Sequence, residues 1–260
     1  MNMITIPNTS LQISKFIFGT GRIVNIYNKS KRQKLLKFAL ECGFSHFDTA
    51  PYYGFGNSEK DIGDLAENKK FTVTTKVGLY PKGGADQNML NVFLRKSVGK
   101  IFKNISKPEI DFSLNKAKNS LNQSLRRLKR DTIDIYALHE GNYELIKLDE
   151  WIRWIEDIKK NGKIRYFAIS SNLKNFKTFL KDDSYKVFDI IQLEDSLERR
   201  EADIIKDYKL KLQITYGYLS SRKKTERNKK DIKEIIKRNS SGAIIVSSRN
   251  FKNIQKFSSF

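Results

Sequence analysis

The stretch His46-Phe47-Asp48-Thr49-Ala50-Pro51-Tyr52-Tyr53-Gly54, followed by Asn57-Ser58-Glu59, decides how the rest of the 260-residue chain is read. An apolar run ends in a carboxylate, Asp48, and Tyr53 follows five residues later in the loop. The next apolar run, 71–76, ends in Lys76, and the run 133–138 is followed by His139. Short runs of this composition read as strands. Segments with apolar residues at helical spacing separate them, as in 31–42, where Leu35, Leu36, Ala39 and Leu40 share a face.

Extended to both ends, the pattern predicts strands at 16–18, 44–48, 71–76, 133–138, 164–169, 187–193, 210–216 and 243–246. Helices are expected at 31–42, 58–65 (capped by Ser58), 113–128, 148–160 (closed by Gly162), 173–180, 198–208 and 229–239. Residues 3–14 read as a hairpin around Pro7-Asn8, and 253–260 as a stub of helix. Strand–helix units repeated eight times predict an α/β chain folded as a parallel (β/α)8 TIM barrel. It would carry an N-terminal hairpin and a shortened C-terminal helix, with residues 1–260 as a single domain. The segment 78–112 breaks the rhythm, with a short helix expected at 89–96; a loop of that length in a compact domain is usually functional. Trp151, Trp154 and His46 are expected in the core.

Composition bounds the remaining possibilities. The N-terminus has no basic segment followed by a long apolar run, so no signal peptide is expected. The single Cys42 cannot close an internal disulfide, which favours a reducing, cytoplasmic setting. The net charge of +21 raises the question of an anionic partner. Its basic clusters, 126–130 and 221–230, do not interleave aromatics for base stacking, so they are read as solvated faces and no nucleic acid or membrane partner is expected. Two histidines and one cysteine offer no metal-ligand set.

Barrel enzymes assemble their sites at the C-terminal ends of the strands. There the sequence places Asp48 and Tyr53, Lys76, His139, Ser170-Ser171-Asn172, Gln192, Tyr216 and Ser247-Ser248-Arg249. A tyrosine is a weak acid near neutrality, and a neighbouring ammonium lowers its pKa. Such a tyrosine can protonate a carbonyl oxygen while hydride reaches the carbon, and the hydride has to come from a cofactor. Taken singly, each residue has a plain structural reading: a turn aspartate, a packed aromatic, a rim salt bridge, a satisfied histidine. The ordered set at one rim does not.

With these residues in place the chain resembles the aldo-keto reductase family, from Phe18-Gly19-Thr20-Gly21 to Ile244-Ile245-Val246-Ser247-Ser248-Arg249. The resemblance is most specific at 47–54 with Ser58-Glu59, followed in order by Thr75-Lys76-Val77-Gly78, Leu138-His139-Glu140, Gly162-Lys163-Ile164-Arg165 and Ser170-Ser171-Asn172. It implies Tyr53 as proton donor, with Asp48, Lys76 and His139 around it. It implies that Ser171, Asn172 and Gln192 hold the nicotinamide carboxamide and that Tyr216 stacks on the ring. Gly19 and Thr20 would line the cofactor cleft. Ser248 and Arg249 resemble the family's phosphate-binding segment and favour NADPH/NADP over NADH. The expected activity is interconversion of a small aldehyde or ketone, such as a sugar-like compound, and its alcohol, by a monomer or weak oligomer. The alternative is a non-catalytic binding protein on the same fold, because relatives usually continue through a longer C-terminal segment that helps bind the adenosine end. Phe257, Asp195 and the turn Tyr216-Gly217-Tyr218-Leu219-Ser220 depart from the family's pattern.

Overall fold

Alternation along the strands positions everything that follows. In the computed structural model, which describes residues 1–65, 71–87, 108–219 and 229–260, every second residue of the barrel strands points inward. Eight parallel strands close the barrel: β3 (Phe16–Gly19), β4 (His46–Asp48), β5 (Thr72–Val77), β8 (Ile133–His139), β9 (Ile164–Ser171), β10 (Ile190–Glu194), β11 (Ile214–Tyr216) and β12 (Ala243–Val246). The pairing of Ile245 with Ile17 closes the ring.

Two small antiparallel ribbons stand outside it. The hairpin β1 (Met3–Thr5) and β2 (Gln12–Ser14) plugs the N-terminal end of the barrel. Its flanking Ile6 and Leu11, with Ile13, pack on the inward residues Ile17, Ile135, Ala137, Ala168, Ile190, Ile214 and Ala243. Gln213 donates to the Pro7 carbonyl at 2.7 Å and fixes the plug to the wall. The second ribbon, β6 (Leu79–Tyr80) with β7 (Glu109–Ile110), brackets the predicted insertion. The helix expected at 89–96 and most of the basic segment 221–230 lie outside the described residues.

Helices α1 (Lys29–Glu41), α2 (Asn57–Gly63), α3 (Leu114–Leu128), α4 (Leu148–Lys160), α5 (Leu173–Leu180), α6 (Lys229–Arg238) and the short α7 (Phe251–Gln255) surround the barrel. Trp151 and Trp154 of α4 are buried, with ring centroids 5.3 Å apart, as expected. His46 is fully buried between the Thr72 and Thr74 hydroxyls at 2.6 and 2.8 Å. Burial pushes its pKa down to about 3, so it is neutral and structural.

Several expectations need correction. Ser58 does not cap α2: Gly56, at φ +83°, holds the N-cap position, and the Ser58 hydroxyl donates to the Thr20 carbonyl. A Cβ on Gly56 would lie 3.1 Å from Arg127 Cδ, so the left-handed turn and the close packing both call for glycine. Residues 187–189 and 210–213 are not strand. Val187 ends a 3-10 segment (Lys181–Val187) and 188–189 lead from it into β10, and the helix expected at 198–208 is a 3-10 helix (Glu201–Tyr208).

The basic cluster 126–130 is not simply a solvated face. Arg127 is buried and donates to Glu59 Oε2 at 2.7 Å, while Glu59 Oε1 accepts from the Thr75 hydroxyl at 2.5 Å. Arg130 donates to the Phe71 carbonyl at 2.8 Å and lies over the Phe71 ring. Arg32 forms a second buried pair with Asp61. Part of the positive charge is therefore consumed inside the fold. Among the described residues no helix is long and apolar enough to cross a membrane, and no cluster of His, Cys, Asp or Glu could hold a metal ion.

Candidate active site

Two residues beyond the apolar layer of the barrel, the same strand faces turn polar. Ala137 leads to His139 on β8, Ala168 to Ser170 on β9, Ile190 to Gln192 on β10 and Ile214 to Tyr216 on β11. On β5, Thr74 leads to Lys76, and on β4, His46 leads to Asp48. The plug end is thus apolar and the opposite end carries chemistry. A cavity of about 310 Å³ opens there, walled by Asp48, Tyr53, His139, Gln192 and Tyr216 among others.

Lys76 is buried beneath this cavity. Its ammonium donates to Asp48 Oδ1 at 2.5 Å and to the Thr49 carbonyl at 3.0 Å, and it approaches the Tyr53 hydroxyl at 3.5 Å. Burial opposes the charge on Lys76, but Asp48 and Tyr53 outweigh it and raise the pKa. Gln192 Nε2 bridges Asp48 Oδ2 at 3.3 Å and the Ser170 hydroxyl at 2.8 Å. The Tyr53 and His139 rings meet edge to face, 5.7 Å apart. Burial, with Lys76 adding to it, holds the His139 pKa well below the ordinary value, so the imidazole is neutral.

The Tyr53 phenol behaves differently from the sequence-based expectation. Burial raises its pKa, and the Lys76 charge, although it pulls downward, does not overcome burial and the nearby Asp48 carboxylate. The phenol is therefore protonated at neutral pH. That is the form a proton donor needs.

The remaining predicted residues fall into two groups. Gly19 lines the cavity, and a Cβ there would stand 2.8 Å from Ile245 Cγ2. Thr20 is buried and uses its hydroxyl on the Asp48 carbonyl at 3.0 Å. Ser171 and Asn172 lie at the end of β9 but do not line the cavity: Ser171 donates to the Asn172 carbonyl, and Asn172 Oδ1 caps α5 by accepting from Asn175 N at 3.0 Å. Ser248 is engaged with Asn250, and Arg249 is exposed on the turn after β12.

Gly21, Arg22 and Glu140 line the cavity and were given no role from the sequence, and Ser170 was named there only as a rim residue. A Cβ on Gly21 would sit 3.4 Å from Tyr53 Cζ, so glycine keeps the face of that ring open. Glu140 directly follows His139, and its position at a strand end was the signal available for it.

Two of the departures from the family's pattern, Asp195 and Tyr218, are joined to each other. Asp195 is fully buried, accepts from Tyr218 Oη at 2.6 Å and from Ala202 N at 3.1 Å, and pairs with Arg238 at 2.9 Å. Asp195 and Tyr218 thus account for one another. Phe257 packs on Phe16 with centroids 4.8 Å apart.

A sequence profile described as the Aldo/keto reductase family matches residues 15–234. The chain belongs to that family. Among curated aldo/keto reductase-like relatives, it is 33% identical over 156 residues to the uncharacterized oxidoreductase YqkF of Bacillus subtilis (strain 168), covering 59% of this chain and 44% of the relative. L-galactose dehydrogenase of Arabidopsis thaliana is 26% identical, with 67% and 50% covered. The NADH-specific methylglyoxal reductase of Escherichia coli (strain K12) is 28% identical, with 76% and 60% covered. The matched stretch thus spans about half the length of these relatives. Among solved structures, the holo form of an aldo-keto reductase from Bacillus halodurans superposes with a TM-score of 0.74 at 21% identity, covering 100% of this chain and 90% of that one. At that identity the likeness shows the fold.

The cavity also suits the nicotinamide cofactors that this family uses. The Ser247 hydroxyl, on its wall, and His139 Nδ1 are buried without a hydrogen-bond partner among the described residues. Buried polar atoms are normally satisfied, so these two atoms fit a site that binds a polar ligand. Tyr216 offers an aromatic wall and Gln192 an amide.

Proposed function

We propose that this protein is an NADP(H)-dependent oxidoreductase, a single barrel domain that interconverts a small aldehyde or ketone with its alcohol. The observation that carries this reading is the buried Asp48–Lys76–Tyr53 chain beside a neutral His139 at the open end of the barrel.

A nicotinamide bound in the cavity would supply the hydride. Gln192 and Tyr216 would hold its ring end, with Asn172 and Ser171 behind them and Gly19 leaving room on the β3 side. Tyr53 Oη gives its proton to the carbonyl oxygen as negative charge develops there. Lys76, held by Asp48, stabilises the phenolate that this leaves, because an ammonium beside a phenolate in a buried site interacts more strongly than in water. Neutral His139 offers a ring nitrogen to orient the substrate oxygen. The small cavity and its polar wall suit a compact, hydroxylated carbonyl compound, and the L-galactose dehydrogenase relative supports a sugar-like substrate. The single buried Cys42 is consistent with a cytoplasmic setting.

The preference for NADPH rests on Ser248 and on the exposed Arg249, which can pair with a 2′-phosphate. The NADH-specific relative pulls the other way. A fluorescence titration of the protein with NADPH and with NADH separates them. Tighter binding of NADPH, lost in Arg249→Ala, is expected; equal binding of both in the unaltered protein removes the role of Arg249.

A further inference from the structure

The carboxylate of Glu140 stands on the cavity wall and takes no part in the proton-donating chain. Glu140 follows His139 with φ +53°, and its backbone N–H donates to the Ser170 carbonyl at 2.8 Å. The β8–β9 pairing is thereby extended one residue, and the chain then turns at the rim.

The donors around this carboxylate are all neutral. Oε2 accepts from Asn172 N at 3.2 Å, from Asn172 Nδ2 at 2.5 Å and from Asn175 Nδ2 at 3.4 Å. Oε1 accepts from Tyr216 Oη at 3.2 Å. An acceptor surrounded by donors suits the ionised carboxylate, since a protonated one would add a donor. Asp48, Glu59, Asp61 and Asp195 each pair with a buried cation. Among the described residues, no lysine or arginine pairs with Glu140. Burial, with the charge of Glu194 on β10, raises the Glu140 pKa, while the hydrogen bonds from Asn172 and Tyr216 to the carboxylate pull it down.

This carboxylate, held by neutral donors alone, touches the two residues, Tyr216 and Asn172, that flank the proposed nicotinamide seat. We infer that Glu140 makes the site discriminate between the two oxidation states of the cofactor. The oxidised nicotinamide ring carries a positive charge and the reduced ring is neutral. A fixed negative charge at the wall, in a partly dry cavity, favours the cationic form. Differential binding of the two forms draws the bound equilibrium toward oxidised cofactor and alcohol, the direction of carbonyl reduction. Glu140 is thus a specificity-determining residue for cofactor oxidation state. The inference rests on the proposed nicotinamide reading of the cavity.

The test compares dissociation constants for NADP+ and NADPH in the unaltered protein, in Glu140→Gln and in Glu140→Asp. In Glu140→Gln the constant for NADP+ is expected to rise about tenfold more than that for NADPH, which corresponds to ~1.4 kcal/mol. Glu140→Asp, which keeps the charge, should keep most of the original ratio. A merely structural role would weaken both cofactors by the same factor in Glu140→Gln, and that result would overturn the inference while leaving the nicotinamide site intact. Failure of the unaltered protein to bind either cofactor would remove the nicotinamide reading itself, and this inference with it.

Discussion

Tyr53→Phe is expected to lower carbonyl turnover by about 10² to 10⁴-fold, the usual contribution of a positioned general acid, and to leave cofactor affinity unchanged. The substitution removes one oxygen and leaves the ring that packs edge to face on His139. Among the described residues the neighbouring groups are poorly placed to replace it: the Tyr216 hydroxyl donates to Glu140. His139 is held neutral by burial and by Lys76, and the ammonium of Lys76 is committed to Asp48 and the Thr49 carbonyl. Burial dominates the surroundings of Tyr53 and raises its pKa. In the proposed reaction the protonated phenol would give its proton to the substrate oxygen. Steady-state rates with a saturating carbonyl compound, alongside a cofactor titration of the same variant, make the comparison. Turnover as fast as in the unaltered protein would exclude Tyr53 as the donor.

A second large effect is expected on stability. Arg127→Met should cost about 3–5 kcal/mol, because it strands the Glu59 carboxylate in the interior. Arg127 and Glu59 are almost completely buried, and the pair is completed by the Thr75 hydroxyl on β5 and by Asp86, 3.2 Å from Arg127 Nη1. This network ties α3 to α2, and α2 directly follows the loop that carries Tyr53. The double variant Arg127→Met, Glu59→Met removes both charges and should recover much of the loss, since apolar replacement of a whole buried pair is often close to neutral. Urea denaturation of the single and double variants measures this. A single variant as stable as the unaltered protein would show that the pair contributes little.

How far the sequence could be read follows from the range of the interactions involved. The barrel was legible because each strand signals itself locally, through apolar runs that end in polar residues at one rim. Asp48, Lys76, His139, Gln192 and Tyr216 were legible for the same reason: each sits at or just after such a run. Strand starts were less legible. Val187 and Phe188 are apolar because they pack on the core, and pattern alone does not separate a packed loop from a strand. Ser58 satisfied the local rule for a helix cap, but the chain reaches α2 through the left-handed Gly56, and the serine hydroxyl finds Thr20, 38 residues away. The Asp195–Tyr218–Arg238 set joins residues 23 and 43 apart, beyond any local signal. The charge environment of Glu140 was hidden likewise, because its partners come from α5 and β11.

Transfer of deuterium from a reduced nicotinamide labelled at its hydride position tests the central claim most directly. The unaltered protein is incubated with labelled NADPH and a panel of small aldehydes and hydroxylated ketones, and the alcohol products are examined by mass spectrometry. The expected result is one deuterium on the former carbonyl carbon, with formation of the labelled alcohol suppressed in Tyr53→Phe. No labelled alcohol from any member of the panel, with protein that binds NADPH tightly, would contradict a carbonyl reductase and leave a cofactor-binding protein on the same barrel.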